Sequence, residues 1–147
     1  MTVLTAGTFD LPHAGHGKFF ARCRALAGED NVIVFVNSDE FVTRFKRRPV
    51  FTQKERMETI QHFRGVDMVL PNKGDEDLRK TFAQFFRGTA PFDEDGYIIA
   101  IGSDWLLKDY FQQTKLSEEW LRLHNCVLAF LPYNGDISST QLRLRLQ

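Results

Sequence analysis

The sequence predicts an α/β domain with one mainly parallel, doubly wound sheet of about five strands. Short apolar runs alternate with amphipathic helical segments along the chain, as in repeated βαβ units. The apolar runs are continuous and contain β-branched residues, which is typical of strands buried on both faces of a parallel sheet. A chain of 147 residues suits one hydrophobic core, so residues 1–147 are expected to form a single domain.

Local signals place the individual elements. The apolar runs predict five strands, at 2–8, 31–37, 66–70, 97–101 and 126–131. Helical spacing predicts four helices, at 13–28, 52–63, 75–87 and 105–124, the last with a break near 114–117. Thr52 is a typical N-cap, Gly28 a typical helix end, and Pro71 is expected to stop the third strand. The leucines after residue 138 alternate as in a strand, but Ser138 and Gln141 match a capping box, so a final helix is favoured.

Three polar or glycine-containing segments follow predicted strands at their carboxyl ends, where ligands bind in open α/β sheets. They are residues 7–16 (GTFDLPHAGH), 102–105 (GSDW) and 136–140 (DISST). A basic loop, Lys46-Arg47-Arg48, follows the second strand. The sequence therefore predicts a ligand site that these four segments share.

The first segment resembles the GTFDxxHxGH signature of the cytidylyltransferase family. Residues 137–143 (ISSTQLR) resemble the ISSTxxR motif shared with related adenylyltransferases. Residues 49–56 (PVFTQKER) resemble the stretch after the phosphate-binding lysine of phosphoethanolamine and phosphocholine cytidylyltransferases, whereas the length and the G-x-D-W segment resemble glycerol-3-phosphate cytidylyltransferase. The resemblance extends from Gly7 to Arg143 and implies the Rossmann-like fold of the HxGH nucleotidyltransferases.

The resemblance implies that His13, His16 and Lys46 are catalytic. An acceptor phosphate that attacks the α-phosphorus of a nucleoside triphosphate needs positioning and charge stabilisation rather than a protein nucleophile. Histidines three residues apart at a helix start can face one side of the first turn and donate to the α-phosphate, and Gly15 leaves room for that phosphate to approach. The alternatives are a helix-surface pair and a metal site, which would want further ligands, so no protein metal site is expected.

Other residues are expected to contact the nucleotide: Thr8, Phe9, Asp10, Gly15, Lys18, Arg56, Gly102, Asp104, Trp105, Ile137, Ser138, Ser139 and Thr140. Backbone N–H groups at the start of the last helix suit the β- and γ-phosphates. Plainer interpretations stay open, since Lys18 and Arg56 also suit an exposed helix surface, Trp105 also suits the core, and Ser138 also suits a simple N-cap.

The expected reaction joins CMP from CTP to a phosphorylated small alcohol, amino alcohol or sugar and releases pyrophosphate, with Mg²⁺ bound to the nucleotide phosphates. Adenylyl transfer from ATP and a non-catalytic nucleotide-binding regulator are the alternatives. Asp136 stands where glycerol phosphate enzymes have a glycine, and their nearby arginine is missing, so the base stays open. Lys73, Arg79 and Lys80 are candidates for the acceptor-side lysine of those enzymes.

Composition limits the other partners. Lys plus Arg equals Asp plus Glu, at 19 each, so neither nucleic acid nor an anionic membrane is an expected partner. Cys23 and Cys126 lack metal-site spacing and predict reduced thiols, and no leader or membrane-spanning run is recognised, so a cytoplasmic protein is expected. The resemblance also implies a homodimer with contacts through Arg64 and Asp67.

Overall fold

The computed structural model describes residues 1–86, 95–102, 107–132 and 139–147. It contains one five-stranded sheet in which every neighbouring pair of strands is parallel. The strands are β1 (Thr2–Gly7), β2 (Val32–Val36), β3 (Met68–Pro71), β4 (Tyr97–Gly102) and β5 (Cys126–Leu131). Their order is β3-β2-β1-β4-β5. The predicted fold class and all five strands are confirmed.

Seven helices connect or follow the strands in the described part of the chain. They are α1 (Ala14–Ala27), α2 (Asp39–Phe45), α3 (Gln53–Gln61), α4 (Leu78–Phe86), α5 (Leu107–Thr114), α6 (Glu118–Leu123) and α7 (Ser139–Arg145). The predicted break after Thr114 separates α5 from α6. The final segment is a helix, as the capping box favoured, although Ser138 itself lies outside the described residues.

Helix α2 was not predicted from the sequence. Its N-cap is Ser38, whose side chain accepts a hydrogen bond from the Phe41 N–H at 3.1 Å, and Asp39 and Glu40 stand in the first turn. These are ordinary helix-start signals. They were outweighed because α2 has seven residues, too few for a hydrophobic period to emerge.

Both faces of the sheet are buried along the central strands β1, β2 and β4, as the continuous apolar runs predicted, whereas Val127 and Phe130 of the edge strand β5 are exposed. Ile33 and Phe35 of β2 belong to a core cluster that contains α4 residues such as Phe82. Val34 belongs to a second cluster, with Phe20 of α1. Because neighbouring residues of one strand enter different clusters, helices cover both sides of the sheet in the doubly wound arrangement.

The two cysteines lie in different core clusters, Cys23 in that of α1 and Cys126 in that of α4. Both are free thiols, and burial raises the pKa of each to about 12. Such thiols are inert at neutral pH. No helix in the described ranges is both long enough and apolar enough to cross a membrane.

The order of the strands fixes where a ligand can bind. The chain passes from β1 to β2 and β3 on one side, and then returns to β4 and β5 on the other side of β1. In a sheet of this kind a crevice opens beyond the carboxyl end of the strand at which the direction reverses. The segment after Gly7 therefore occupies the crevice.

Candidate active site

A cleft of about 690 Å³ lies beyond the carboxyl ends of β1, β2 and β4. This volume is in the range of ordinary ligand pockets. Eight residues predicted from sequence line it: Thr8, Phe9, Asp10, His13, Gly15, His16, Lys46 and Gly102. The structure thus brings the three predicted catalytic residues to a single cavity.

His13 and His16 cap the helix on which they stand. His13 is the N-cap of α1, and its Nδ1 accepts a hydrogen bond from the Gly15 N–H at 3.0 Å. The Nδ1 of His16 accepts from the His13 N–H at 3.1 Å, which completes a capping box made of two imidazoles. The ring centroids are 4.0 Å apart. The two rings therefore lie side by side with fixed orientations.

These backbone contacts determine the tautomer of both rings. A backbone N–H can only donate, so the Nδ1 that faces it must be unprotonated. The proton of each neutral imidazole therefore resides on Nε2. His13 and His16 each present an Nε2–H donor on the side away from the helix backbone.

The surroundings keep the imidazoles neutral. Burial lowers the pKa of His13, and burial together with the charge of a protonated His13 lowers the pKa of His16 to about 4. A second proton on either ring would also have to occupy Nδ1 and break the cap. At neutral pH the pair therefore donates hydrogen bonds without carrying a positive charge.

Three buried side-chain N–H groups in the described part of the chain lack a hydrogen-bond partner. Two of them, the Nε2–H of His13 and the Nε–H of Arg143, belong to residues that line the cleft. Buried donors are rarely left unpaired unless a ligand or an ion satisfies them. Both therefore suit an anion bound in the cleft.

Phe9 packs directly over Gly7 and against His16. A Cβ atom on Gly7 would lie 2.8 Å from the Phe9 ring, so the close approach needs glycine at this position. The Phe9 ring meets that of His16 edge-on, with centroids 5.5 Å apart. Phe9 has a φ of 53°, in the left-handed region that non-glycine residues rarely adopt. The turn after β1 thereby forms one wall of the cleft.

Asp10 connects three distant segments. Its carboxylate is 2% exposed and accepts hydrogen bonds from the N–H groups of Val50, at 2.9 Å, and Phe51, at 3.0 Å. It also forms an ion pair with Arg143 of α7. Burial alone would raise the pKa of Asp10, but the two N–H groups and the guanidinium outweigh burial and lower it. In this structure Asp10 anchors the cleft wall, whereas the sequence analysis expected a nucleotide contact.

Arg56 lies beneath the cleft. Its side chain is 0% exposed and donates to the Thr8 carbonyl at 2.7 Å, the Phe51 carbonyl at 3.1 Å and the Asp39 carboxylate at 2.6 Å. The expected nucleotide contact would need exposed surface that Arg56 does not have here. Arg56 instead holds α2 and α3 against the turn after β1.

The basic side chains divide between the cleft and the outer surface. Lys46 follows α2 and lines the cleft together with Arg47. Lys18 is exposed and does not line the cleft. The acceptor-side candidates Lys73, Arg79 and Lys80 do not line it either, and Arg79 is paired with Asp77 at 3.0 Å. Of these basic residues, Lys46 and Arg47 are the two that line the cleft, and they follow α2 directly.

Sequence reasoning missed Asn37 and Asn72, which line the cleft immediately after β2 and β3. The Asn72 amide donates to Asn37 at 2.8 Å, and the Asn37 amide donates to the Thr8 hydroxyl at 3.1 Å. These contacts connect the carboxyl ends of three strands. The strand-end rule applied to Thr8 would have identified both asparagines.

Some predicted contacts lie outside the described residues. These are Asp104, Trp105, Ile137 and Ser138. Ser139 and Thr140 begin α7, so the backbone of this predicted segment is helical. The predicted roles of these six residues stay predictions.

No group of three or more His, Cys, Asp or Glu side chains comes together as a metal site within residues 1–86, 95–102, 107–132 and 139–147. In the cleft, Asp10 is paired with Arg143, and Asp75 is paired with Arg44 at 3.0 Å.

Comparison with known proteins identifies the family. Residues 4–145 match the family model described as cytidylyltransferase-like. The chain belongs to the cytidylyltransferase-like family. Since this match covers nearly the whole chain, family membership supports a nucleotidyltransferase enzyme and agrees with the resemblance in the GTFDLPHAGH segment.

The names of relatives within the family describe different reactions. The chain is 27% identical over 141 residues to a glycerol-3-phosphate cytidylyltransferase of Bacillus subtilis, covering 96% of this chain and 93% of that protein. It is 40% identical over 67 residues to an FAD synthase of Methanothermobacter thermautotrophicus, a match that spans 45% of this chain and 44% of the relative. A solved structure of a lipopolysaccharide core biosynthesis protein from Thermoplasma volcanium has the same fold, with a TM-score of 0.66, 21% identity and coverage of 91% of this chain and 96% of that one.

Proposed function

We propose that the protein transfers CMP from CTP to a phosphorylated small alcohol, amino alcohol or sugar and releases pyrophosphate. The observation that carries this proposal is the arrangement of His13 and His16, two neutral donors side by side in a cleft that Lys46 also lines. Such a set suits a phosphate group that gains negative charge during reaction.

In the proposed reaction an oxygen of the acceptor phosphate attacks the α-phosphorus of the nucleotide. A new P–O bond forms, the bond from the α-phosphorus to the bridging oxygen breaks, and pyrophosphate leaves with that oxygen. The Nε2–H groups of His13 and His16 donate to oxygens whose charge increases. Because the helix cap holds both rings in place before reaction, they need no reorganisation as charge develops on these oxygens.

Charge on the cleft wall supports the same proposal. A cation about 4 Å from a phosphate charge contributes roughly 4 kcal/mol at an effective dielectric near 20. Lys46 and Arg47 supply such charges at the end of α2, and the unpaired Nε–H of Arg143 supplies a further donor. Mg²⁺ bound to the nucleotide phosphates would neutralise part of their charge.

A second candidate is adenylyl transfer from ATP by the same site. It is favoured by the similarity to an FAD synthase over 67 residues, and it needs no change in the histidine geometry. Coverage does not separate the two reactions, because an FAD synthase of Korarchaeum cryptofilum also matches over 98% of this chain. CTP is preferred because the GTFDLPHAGH segment resembles the cytidylyltransferase signature. We also propose that the enzyme is a cytoplasmic homodimer, which sizing chromatography with light scattering tests.

The direct test is pyrophosphate release from each of the four nucleoside triphosphates, with Mg²⁺ and a panel of phosphorylated acceptors. CTP-dependent turnover is the expected result. Turnover with ATP alone would replace the proposal by the second candidate. Nucleotide binding without turnover on any acceptor would instead indicate a regulator that binds nucleotide.

Two substitutions at His16 separate chemistry from folding. His16→Asn keeps an acceptor close to the Nδ1 position, and so retains the cap, but removes the Nε2–H. His16→Gln places an amide N–H near the Nε2 position. We expect kcat to fall by about 10²–10³ in His16→Asn, with partial recovery in His16→Gln and similar melting temperatures. Equal loss in both, tracking melting temperature, would assign His16 a structural role instead.

A further inference from the structure

Asn72 can adopt one amide orientation. Its Oδ1 accepts from the Gly74 N–H at 3.1 Å and from the Thr81 hydroxyl, and its Nδ2 donates to Asn37 at 2.8 Å and to the Asp75 carbonyl at 3.1 Å. Since a backbone N–H can only donate, the atom facing Gly74 must be oxygen. Asn72 is 2% exposed, and these four contacts use its whole hydrogen-bonding capacity.

The orientation of Asn72 determines that of Asn37. The Nδ2 of Asn72 donates, so the Asn37 atom facing it is Oδ1, and Asn37 Nδ2 therefore faces the Thr8 hydroxyl oxygen at 3.1 Å. An amide has two N–H donors and two lone pairs on its oxygen. Within the described residues, the Asn37 side chain uses one of each. One donor and one acceptor stay available, on a half-buried residue that lines the cleft.

The surroundings of Asn37 and the order of the strands indicate which substrate lies beside it. Asp75 and Glu76 line the cleft on the side of β2 and β3. Arg44 partly neutralises them, at 3.0 Å and 4.0 Å. Among the described lining residues, the one other carboxylate is Asp10, which is paired with Arg143. Lys46 and Arg47 also line the cleft after α2, so charge by itself does not assign this side to one substrate. The segments expected to contact the nucleotide, 102–105 and 137–140, follow β4 and β5, whereas Asn37 and Asn72 follow β2 and β3 on the other side of β1. The acceptor is therefore the substrate beside Asn37.

We infer that Asn37, oriented by Asn72, recognises a hydroxyl group of the acceptor. A hydroxyl donates one hydrogen bond and accepts others, which matches the remaining N–H and lone pair of Asn37. A primary ammonium offers donors alone, and a quaternary ammonium offers neither. The preferred acceptor is accordingly a phosphorylated alcohol or sugar with a free hydroxyl. This inference rests on the proposed function.

The test compares acceptors that differ in their hydroxyl groups. Glycerol 3-phosphate, propyl phosphate and phosphocholine would each be assayed for pyrophosphate release with the nucleotide that supports turnover. We expect kcat/KM for glycerol 3-phosphate to exceed that for propyl phosphate by roughly 10- to 100-fold. This is below the discrimination of fully buried sites, because Asn37 is half-buried.

Asn37→Ala should reduce this ratio to within about threefold, while the Kd for nucleotide changes little. Asn31→Ala is the matched control, since Asn31 immediately precedes β2 at the end remote from the cleft. Melting temperatures report whether each variant folds. If Asn37→Ala does not fold, Asn37→Asp tests the same ratio, because aspartate keeps the oxygen that accepts from Asn72 but lacks the N–H.

The possible results distinguish the assignment of Asn37 from the proposed function. A wild-type ratio near one, a preference for phosphocholine, or an unchanged ratio in Asn37→Ala would overturn the assignment of Asn37 and leave the proposed function intact. Absence of pyrophosphate release with every nucleotide and acceptor would overturn the proposed function itself.

Discussion

Replacing Asp10 by asparagine tests whether its carboxylate holds the cleft wall together. The side chain is 2% exposed, so its partners are protein groups: the N–H groups of Val50 and Phe51 and the guanidinium of Arg143. Asparagine has nearly the same shape but offers one oxygen and one NH₂ group. Whichever way the amide turns, its NH₂ faces at least one of these donors.

The structure sets the scale of the effect. A hydrogen bond to a charged group contributes about 1.5–3 kcal/mol, and removing one partner of a buried ion pair costs roughly 3–5 kcal/mol. Arg143 is 17% exposed, so water stabilises part of its unpaired charge. We therefore expect Asp10→Asn to lower the free energy of unfolding by about 2–4 kcal/mol at pH 7.

Urea unfolding at several pH values is the assay. The pKa of Asp10 is lowered in the folded protein, so its ionised carboxylate stabilises the fold above the unfolded value of about 3.9, and this stabilisation is lost as pH falls through the folded pKa. The difference between wild type and Asp10→Asn should therefore shrink in acid. Asp30→Asn, at an exposed pair with the N-terminus, is the control and should cost under about 1 kcal/mol.

Two results would refute this reasoning. One is a loss below about 0.5 kcal/mol at pH 7, which would mean that the contacts of Asp10 are energetically neutral. The other is a pH-independent difference between the two proteins, which would assign the effect to shape rather than to charge.

Further predictions follow from the same region. His16 should stay neutral with its proton on Nε2 down to about pH 5, because its pKa is lowered to about 4. The ¹⁵N chemical shifts of labelled histidine measure this, and titration of the ring near pH 6.5 would contradict it. Since that pKa lies below the unfolded value, His16 should make the protein lose stability as pH falls from about 6.5 to 4. Arg56→Lys keeps the charge but cannot reach all three acceptors, so the free energy of unfolding measured in urea should fall by about 2–4 kcal/mol. Lys54→Ala, at an exposed position of the same helix, is the control and should change it by under about 0.5 kcal/mol.

Prediction of the fold from sequence succeeded where the signal was local. All five strands were found to within about two residues, since each is a compact apolar run bounded by turn residues. Helix α1 was found with His13 at its start. The short helix α2 was missed, although Ser38 and the two acids after it carried the signal. Its position depends on contacts such as that between Asp39 and Arg56, 17 residues apart.

The structure brings the predicted residues His13, His16 and Lys46 to one cleft, and their catalytic roles stay predictions. His13 and His16 were grouped correctly because they stand on one helical turn, and Lys46 was assigned through the family resemblance. Arg56 was expected at the nucleotide and lies buried beneath the cleft. A charged side chain on an amphipathic helix gives no local indication that it is buried and paired.

The sequence by itself determined the alternation of strands and helices and the imidazole pair, because each depends on residues within one or two turns of one another. The doubly wound sheet was inferred from that alternation, since right-handed crossovers place helices on both faces. Tertiary structure alone decided that Asp10 anchors Arg143, 133 residues away, and that Asn72 orients Asn37 across 35 residues. Such contacts depend on which strands become neighbours and on how far each polar group is removed from water. Neither the pairing of the strands nor the depth of burial can be inferred from a short stretch of chain.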